Sequence, residues 1–590
     1  MCGIGGLLHT PHAPATAPAC LEQMALALRH RGPDGSHVAH LDQAELLHTR
    51  LSIIDLAGGD QPLYAGTGTL VANGELYNDP AIRQALGPEA FKTGSDCESA
   101  LALWQRHGPD FPRHLRGMYA TALYDSSSKT ALLSRDPFGI KPLYYTSSTN
   151  GVAFASEPSA LLAAGLAPRA IDPARREELL QLQFTTGAQS IFPTIRRLLP
   201  GETLCITQGQ ITQRHTLPAL PQPDKATLLT SETEALDRLD AALMDSIAVH
   251  ERADVPFGLF LSGGIDSACL LTAMSRQPRT APLRSWTATF DAPGAANEAE
   301  AAQALAHAAG TEHETLHITR AMVWQHLPAI VASMDDPAAD YAIIPTWLLA
   351  RKAAADVRVV LSGEGGDELF CGYGRYRAAT RPWWRGRKKP WRRGIFDGLD
   401  ILRQPTRHWR DGIAQAEATY HAHGTPLARV QAVDTAEWLP NDLLLKLDRC
   451  LMAHGLEGRT PLLDPVVADV ACHLPDTLRV RGGKGKWLLR QWLAQHNPAA
   501  QPFAPKQGFT VPIGAWMAQD SHRLADLLAG QDCIAEIARP DRVRALLRDI
   551  RGTREAAAAW NLLFYALWHR AHIRALPPEG DVFEALSLQG

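Results

Sequence analysis

Residues 255–274, VPFGLFLSGGIDSACLLTAM, decide how this chain is read. An apolar run typical of a buried strand ends at Leu261. Ser262-Gly263-Gly264 then turns the chain into a helix expected to begin near Ser267. Glycines let a backbone approach phosphate oxygens, and a helix N-terminus adds unpaired N–H donors and a favourable dipole. Asp266 inside such an anion site is chemically sensible where Mg2+ bridges a carboxylate to phosphates. The plainer alternative is a tight turn with Asp266 as a helix cap. The GxxxxGK(S/T) loop of ordinary phosphoryl-transfer enzymes is absent.

VVLSGEGGDELFCGY (359–373) repeats the design: a β-branched strand stops at Ser362-Gly363 and presents Glu364, Asp367 and Glu368. Around these two turns, helical ALDRLDAALMDSIAVHE (235–251) and AEAAQALAHAAG (299–310) alternate with strand-like LRSWTATF (283–290) and VRVVLSG (357–363). Such alternation predicts a parallel, doubly wound sheet, whose ligands bind beyond the carboxyl ends of the strands. Past residue 375 the pattern is mostly helical.

The first two hundred residues read differently. Short strands, ELLHTRLSIIDL (45–56), GTLVANGELYN (68–78), MYATALYD (118–125), TALLSRD (130–136), PLYYTSS (142–148) and GVAFASE (151–157), are interrupted by helical LEQMALALRH (21–30) and CESALALWQRHG (97–108). This predicts a sheet-rich α+β domain. A polar, proline-containing stretch follows. The expected division is a first domain at 2–215, a linker at 216–233 and a second domain at 234–590.

The chain opens MCGIGG. Removal of Met1 would leave Cys2 beside its own α-amine, whose pKa of about 7.7–8.0 suits a base near neutrality. The alternative is a small residue in a buried first strand.

The totals bound the class. Net charge is −4 and the pI near 6.6, which argues against a general nucleic-acid binder. No signal peptide or membrane-length apolar run is read. Nine dispersed cysteines without a CxxC pair suit a reducing cytoplasm, and offer neither a disulfide framework nor a zinc knuckle. RPWWRGRKKPWRRG (381–394) places six basic residues between Arg385 and Arg393, and is read as a solvated loop or helix edge.

SGGIDS resembles the pyrophosphate loop of N-type ATP pyrophosphatases. With MCGIGG, RHRGPDG (29–35), RLSIIDL (50–56), NGELYN (73–78), GSDCE (94–98) and SGEGGDE (362–368), in order along nearly the whole length, the chain resembles glutamine-hydrolysing asparagine synthetases. The resemblance implies an Ntn-type sandwich of stacked antiparallel sheets between helices. It implies that Cys2 is the nucleophile of a class II glutamine amidotransferase, with Asn73 and Gly74 as oxyanion donors. Arg50, Glu75 and Asp96 would hold the carboxylate and amino groups of glutamine. In the second domain Ser262, Gly264, Asp266 and Ser267 would meet pyrophosphate, and Leu261, Ala288, Ser362 and Gly363 adenosine. Asp266 and Asp367 would contact Mg2+, Glu364 would serve formation of a β-aspartyl-AMP, and Lys486 in GKGKWLLR (483–490) would steady the leaving pyrophosphate.

Plainer readings stand beside these: Asp96 as an N-cap, Arg50 in a salt bridge, Asn73-Gly74 as a hairpin turn, and Lys486 on a surface loop. The implied partners are glutamine, ATP and aspartate, with no nucleic acid or membrane, and relatives are often dimers. LLLKLDRCLMAHGLEGRTPLLD (443–464) resembles a segment near the acceptor pocket, with Lys446, Asp448, Arg449, Glu457 and Arg459 as its charges. Relatives that amidate other carboxylates keep much of it, so a sugar acid or natural-product precursor remains an alternative acceptor. Cys371, where glycine is usual, and Tyr119, where phenylalanine is frequent, are read as packing variation.

Overall fold

The computed structural model describes residues 2–14, 17–279, 281–291, 298–381, 390–404, 406–504 and 511–587. Most of the basic segment expected at 385–393 lies outside these residues.

The N-terminal region is built from β1 (Gly3–His9), β2 (Gly35–His40), β3 (Ala44–Arg50), β4 (Leu63–Ala65), β5 (Gly68–Leu76) and β6 (Gly117–Asp125), then β7 (Thr130–Arg135), β8 (Tyr144–Ser148), β9 (Gly151–Ala155), β10 (Arg196–Arg197), β11 (Glu202–Thr207) and β12 (Gln210–Thr216). They form two six-stranded antiparallel sheets, ordered β10-β8-β9-β1-β3-β2 and β12-β11-β7-β6-β5-β4. Alternation along each strand sorts the side chains, because successive residues point to opposite faces. Ile4, Leu8, Val71, Ala122, Leu133 and Phe154 share the core between the sheets. Leu70 and Ala72 belong instead to the layer with Leu101, against the helix Glu98–His107. Leu7 and Leu47 pack with the helices Pro18–Leu28 and Pro158–Ala163 on the far side. The result is the helix–sheet–sheet–helix sandwich expected.

The second region is the doubly wound sheet. Its strands β13 (Phe257–Phe260), β14 (Arg284–Phe290), β15 (Glu312–Ile318), β16 (Val359–Leu361) and β17 (Glu457–Arg459) lie in the order β15-β14-β13-β16-β17, all parallel. Order reverses between β13 and β16, which is where such sheets bind ligands. Strands β2, β4, β10, β11, β12, β15 and β17 were not evident from sequence; β17 falls inside the segment expected near the acceptor. Helices dominate after residue 411, through the long Thr553–His572 to the last, Val582–Ser587. Among the described residues no helix is long and apolar enough to cross a membrane.

The two regions meet through buried charges. Arg31 donates to Glu157 Oε1 (2.7 Å) and forks onto both Asp448 oxygens (2.8 and 3.1 Å). Arg449 reaches Glu157 (3.4 Å), and Arg197 forks onto Asp336 (2.6 and 2.7 Å). Removing one member of such a buried set strands the others in low dielectric. Asp448→Ala should therefore destabilise the protein by roughly 3–5 kcal/mol, visible as a lower thermal-unfolding midpoint, whereas exposed Asp110→Ala should leave the midpoint unchanged.

Candidate functional site

Cys2 is buried at the foot of β1, and its backbone N–H donates to Asn73 Oδ1 (3.0 Å) on β5. Burial pushes the Cys2 thiol above its ordinary pKa, so it stays protonated until a base takes the proton. The other end of the same amide, Asn73 Nδ2, is buried without a hydrogen-bond partner. A side chain so fixed presents one unsatisfied donor beside the sulfur residue, which is what an oxyanion needs. Asn73 and Gly74 lie inside β5, paired with Ala120 and Tyr119, and not in a hairpin turn. A Cβ on Gly74 would collide with the Met118 carbonyl, so only glycine allows β6 this close.

Glu75 and Asp96 are both buried. Asp96 does not cap its own helix; it accepts from Leu76 N (2.6 Å), reaching back to the end of β5. Burial, with Asp96 nearby, pushes Glu75 well above the usual carboxylate range, and Arg459 opposes that rise. Glu75 Oε2 meets Arg459 Nη2 at 3.1 Å and Oε1 has no partner. Arg50 clasps the loop after β3, donating to Asp60 (2.7 Å) and to the carbonyls of Leu56 (3.2 Å) and Asp55 (2.6 Å). It thus makes the salt bridge held open as its plainer reading.

The second cluster sits at the switch point. The helix starts at Ile265, two residues before the expected position, and its N-cap Gly264 supplies no side-chain cap. Ser262 and Ser267 brace the turn: Ser262 N donates to Ser267 Oγ (3.1 Å), and Ser267 Oγ donates to Ser262 O (2.9 Å). Leu261 N donates to Trp286 O (2.9 Å), setting β14 and Ala288 beside the turn. The loop after β16 locks onto this one. A Cβ on Gly363 would come within 2.9 Å of Asp266 Cβ, and one on Gly366 would strike the Asp266 carboxylate.

Lys486 joins both loops, its ammonium 2.5 Å from Asp266 and 2.7 Å from Asp367. It is buried, so the surface-loop reading does not hold. Among the described residues no group of three or more metal-binding side chains converges. Two carboxylates meeting on one cation nevertheless fit Mg2+, which takes one or two protein carboxylates and completes its shell with phosphates and water. Glu364 is part-buried; burial raises its carboxyl, Lys446 lowers it, and Asp340, Asp367 and Asp266 raise it.

Two expectations are corrected. Cys371 has φ +60 and Lys486 φ +57, a left-handed region that favours glycine, so Cys371 carries strain and is not simple packing variation. Of the charges at 443–464, only Lys446 faces the Glu364 loop, bonding Asp340 (2.7 Å). Asp448 and Arg449 turn to the sandwich, and Glu457 and Arg459 to the Cys2 side. Asp340, Arg252 and β17 were missed because nothing local in their sequence marks a contact made so far along the chain.

A family model described as asparagine synthase matches residues 238–570, and one described as a glutamine amidotransferase domain matches 1–216. The chain is 31% identical to glutamine-hydrolysing asparagine synthetase 1 of Bacillus subtilis (strain 168), covering 98% of each protein. It is 32% identical to a putative glutamine-hydrolysing asparagine synthetase of Mycobacterium tuberculosis (strain ATCC 25618 / H37Rv), covering 96% of this chain and 97% of that one. Identity to asparagine synthetase B of Escherichia coli (strain K12) is 29%, over 88% of this chain and 83% of the relative.

The interlocked loops give a direct test. Gly366→Ala should push the Asp266 carboxylate out of place and weaken ATP binding about tenfold or more, in line with the ~1–3 kcal/mol cost of overpacking. Equilibrium titration with a fluorescent ATP analogue measures it.

Proposed function

The chain belongs to the asparagine synthase family, an ATP-dependent ligase family using glutamine as amido donor, and from that premise we propose the following division of labour. Cys2, freed of Met1, attacks the glutamine carboxamide while its α-amine takes the thiol proton. The developing oxyanion is met by Asn73 Nδ2 and the Gly74 N–H, donors of a kind commonly worth ~2.7–4 kcal/mol each. Ammonia leaves, and water releases glutamate from the thioester. Glu75 and Asp96 take the amino group of glutamine, and Arg50 its carboxylate.

At the switch point the acceptor carboxylate, the side chain of aspartate, attacks the α-phosphorus of ATP. Pyrophosphate leaves and a β-aspartyl-AMP forms, which ammonia converts to asparagine and AMP. The turn Ser262–Ser267 and Lys486 receive the pyrophosphate, while Leu261, Ala288, Ser362 and Gly363 line the adenosine. Mg2+, held by Asp266 and Asp367, would supply charge neutralisation of the phosphates. Glu364, flanked by Lys446, would orient acceptor and ammonia. Ammonia crosses within the protein, because in bulk water at neutral pH it is largely protonated and no longer nucleophilic. The proposed domains are 2–215 and 234–590, joined by 216–233.

The observation that carries this reading is the Asn73 amide, with Oδ1 on Cys2 N and Nδ2 left unsatisfied. Release of AMP and asparagine is measured with MgATP and glutamine, with and without aspartate. The reading expects aspartate-dependent AMP matched by asparagine; glutamate release with no AMP on adding aspartate would move the acceptor to another carboxylate. Cys2→Ala should abolish glutamine-dependent synthesis and keep synthesis from added ammonia. Asn73→Ala should lower glutaminase kcat by about 10²–10³. Chelation of divalent cations should stop AMP release and spare glutamine hydrolysis.

A further inference from the structure

Arg459 is completely buried, and it belongs to β17 of the parallel sheet, far from the sandwich in sequence. Its guanidinium is held by four hydrogen bonds. Nε donates to Glu457 Oε1 (2.6 Å), and Nη1 to the carbonyls of His250 (2.8 Å) and Arg252 (2.7 Å). Nη2 donates to Glu75 Oε2 (3.1 Å) on β5 of the sandwich. The backbone of the same residue serves the other pocket, since Arg459 O accepts from Ser362 N (2.8 Å), the first residue of the loop carrying Glu364.

We propose that Arg459 is a positioning residue of the glutamine pocket, supplied by the second domain: it fixes one oxygen of Glu75 so that the other, Oε1, faces the amino group of glutamine. This rests on the glutaminase reading above. The partnering is consistent with that role, because Glu75 is buried and Oε1 alone is left unsatisfied. A buried carboxylate beside Asp96 and Glu457 favours its neutral form, and the Arg459 charge is the strongest influence against it. Arg252, also from the second domain, adds a weaker one. A neutral Glu75 would lose its charge-assisted bond to an ammonium group. The sandwich alone therefore holds an incomplete pocket.

The interaction is made to substrate and transition state alike, so its loss should appear in KM more than in kcat. Glutamine hydrolysis by the full chain is followed as glutamate release. Arg459→Gln should raise KM for glutamine about tenfold or more with kcat within about threefold. Arg459→Lys keeps the charge without the fork and should fall between. In a Glu75→Gln background, adding Arg459→Gln should change KM by less than about twofold, as expected of coupled partners. Unchanged KM in Arg459→Gln, full additivity with Glu75→Gln, or an equal fall of kcat for glutamine- and ammonia-driven AMP release would overturn the assignment. Should Arg459→Gln fail to fold, Arg459→Lys and Glu75→Gln decide the question by the same KM comparison. Absence of glutaminase in the unaltered protein would instead overturn the reading on which this rests.

Discussion

Arg31 has no access to water, and the way its charge is satisfied dictates how the two halves of the molecule meet. A buried guanidinium without carboxylate partners costs several kcal/mol. Its partners come from both halves, Glu157 from the end of the sandwich and Asp448 from the helix Leu444–Met452. Its Nε donates to the Cys2 carbonyl (3.2 Å). The residue that pins the halves together is therefore bonded directly to the nucleophile candidate. The same helix turns Lys446 toward Asp340 and the Glu364 loop. One short helix consequently borders both chemical centres, and any tilt of it is felt at each.

The centres themselves are built by opposite means. Around Cys2 the geometry is that of relaxed strands, with β5 and β6 drawn close by a missing Cβ at Gly74 and polar atoms left without a protein partner in the interior. At the switch point the backbone is bent hard, with Cys371 and Lys486 both left-handed and joined by the bond from Lys486 N to Phe370 O (2.9 Å). Non-glycine residues persist in that conformation only where their surroundings over-determine them. Here the surroundings are the two carboxylates that Lys486 reaches, so electrostatic attraction holds a strained backbone in place.

Much of this was legible in the sequence because it is local. Alternation in GTLVANGELYN and the strand–turn–helix of 255–274 each encode their own element, and glycine marks where chains approach. What was hidden depends on contacts between distant segments. β17 is three residues long and carries Glu and Arg, a composition that reads as surface charge. Only its placement beside β16 makes it a strand. The charges at 443–464 looked like one functional group by proximity in sequence. The helix and the strand that contain them point those charges to different places, and a linear reading has no means of separating them.

β17 also shows why the halves do not behave as two units joined by a linker. It is the edge strand of the parallel sheet, and an exposed edge invites pairing with other chains. The sandwich covers it. Lys141 Nζ donates to the Gly458 carbonyl (3.3 Å), Lys141 also faces Glu457, and Arg459 is tied to Glu75. Either half alone would carry an open strand edge or a set of buried charges without counter-ions. The requirement that stabilises the assembly is thus the one that links Glu75 to the loop after β16, since Arg459 bonds the first through its side chain and the second through its backbone.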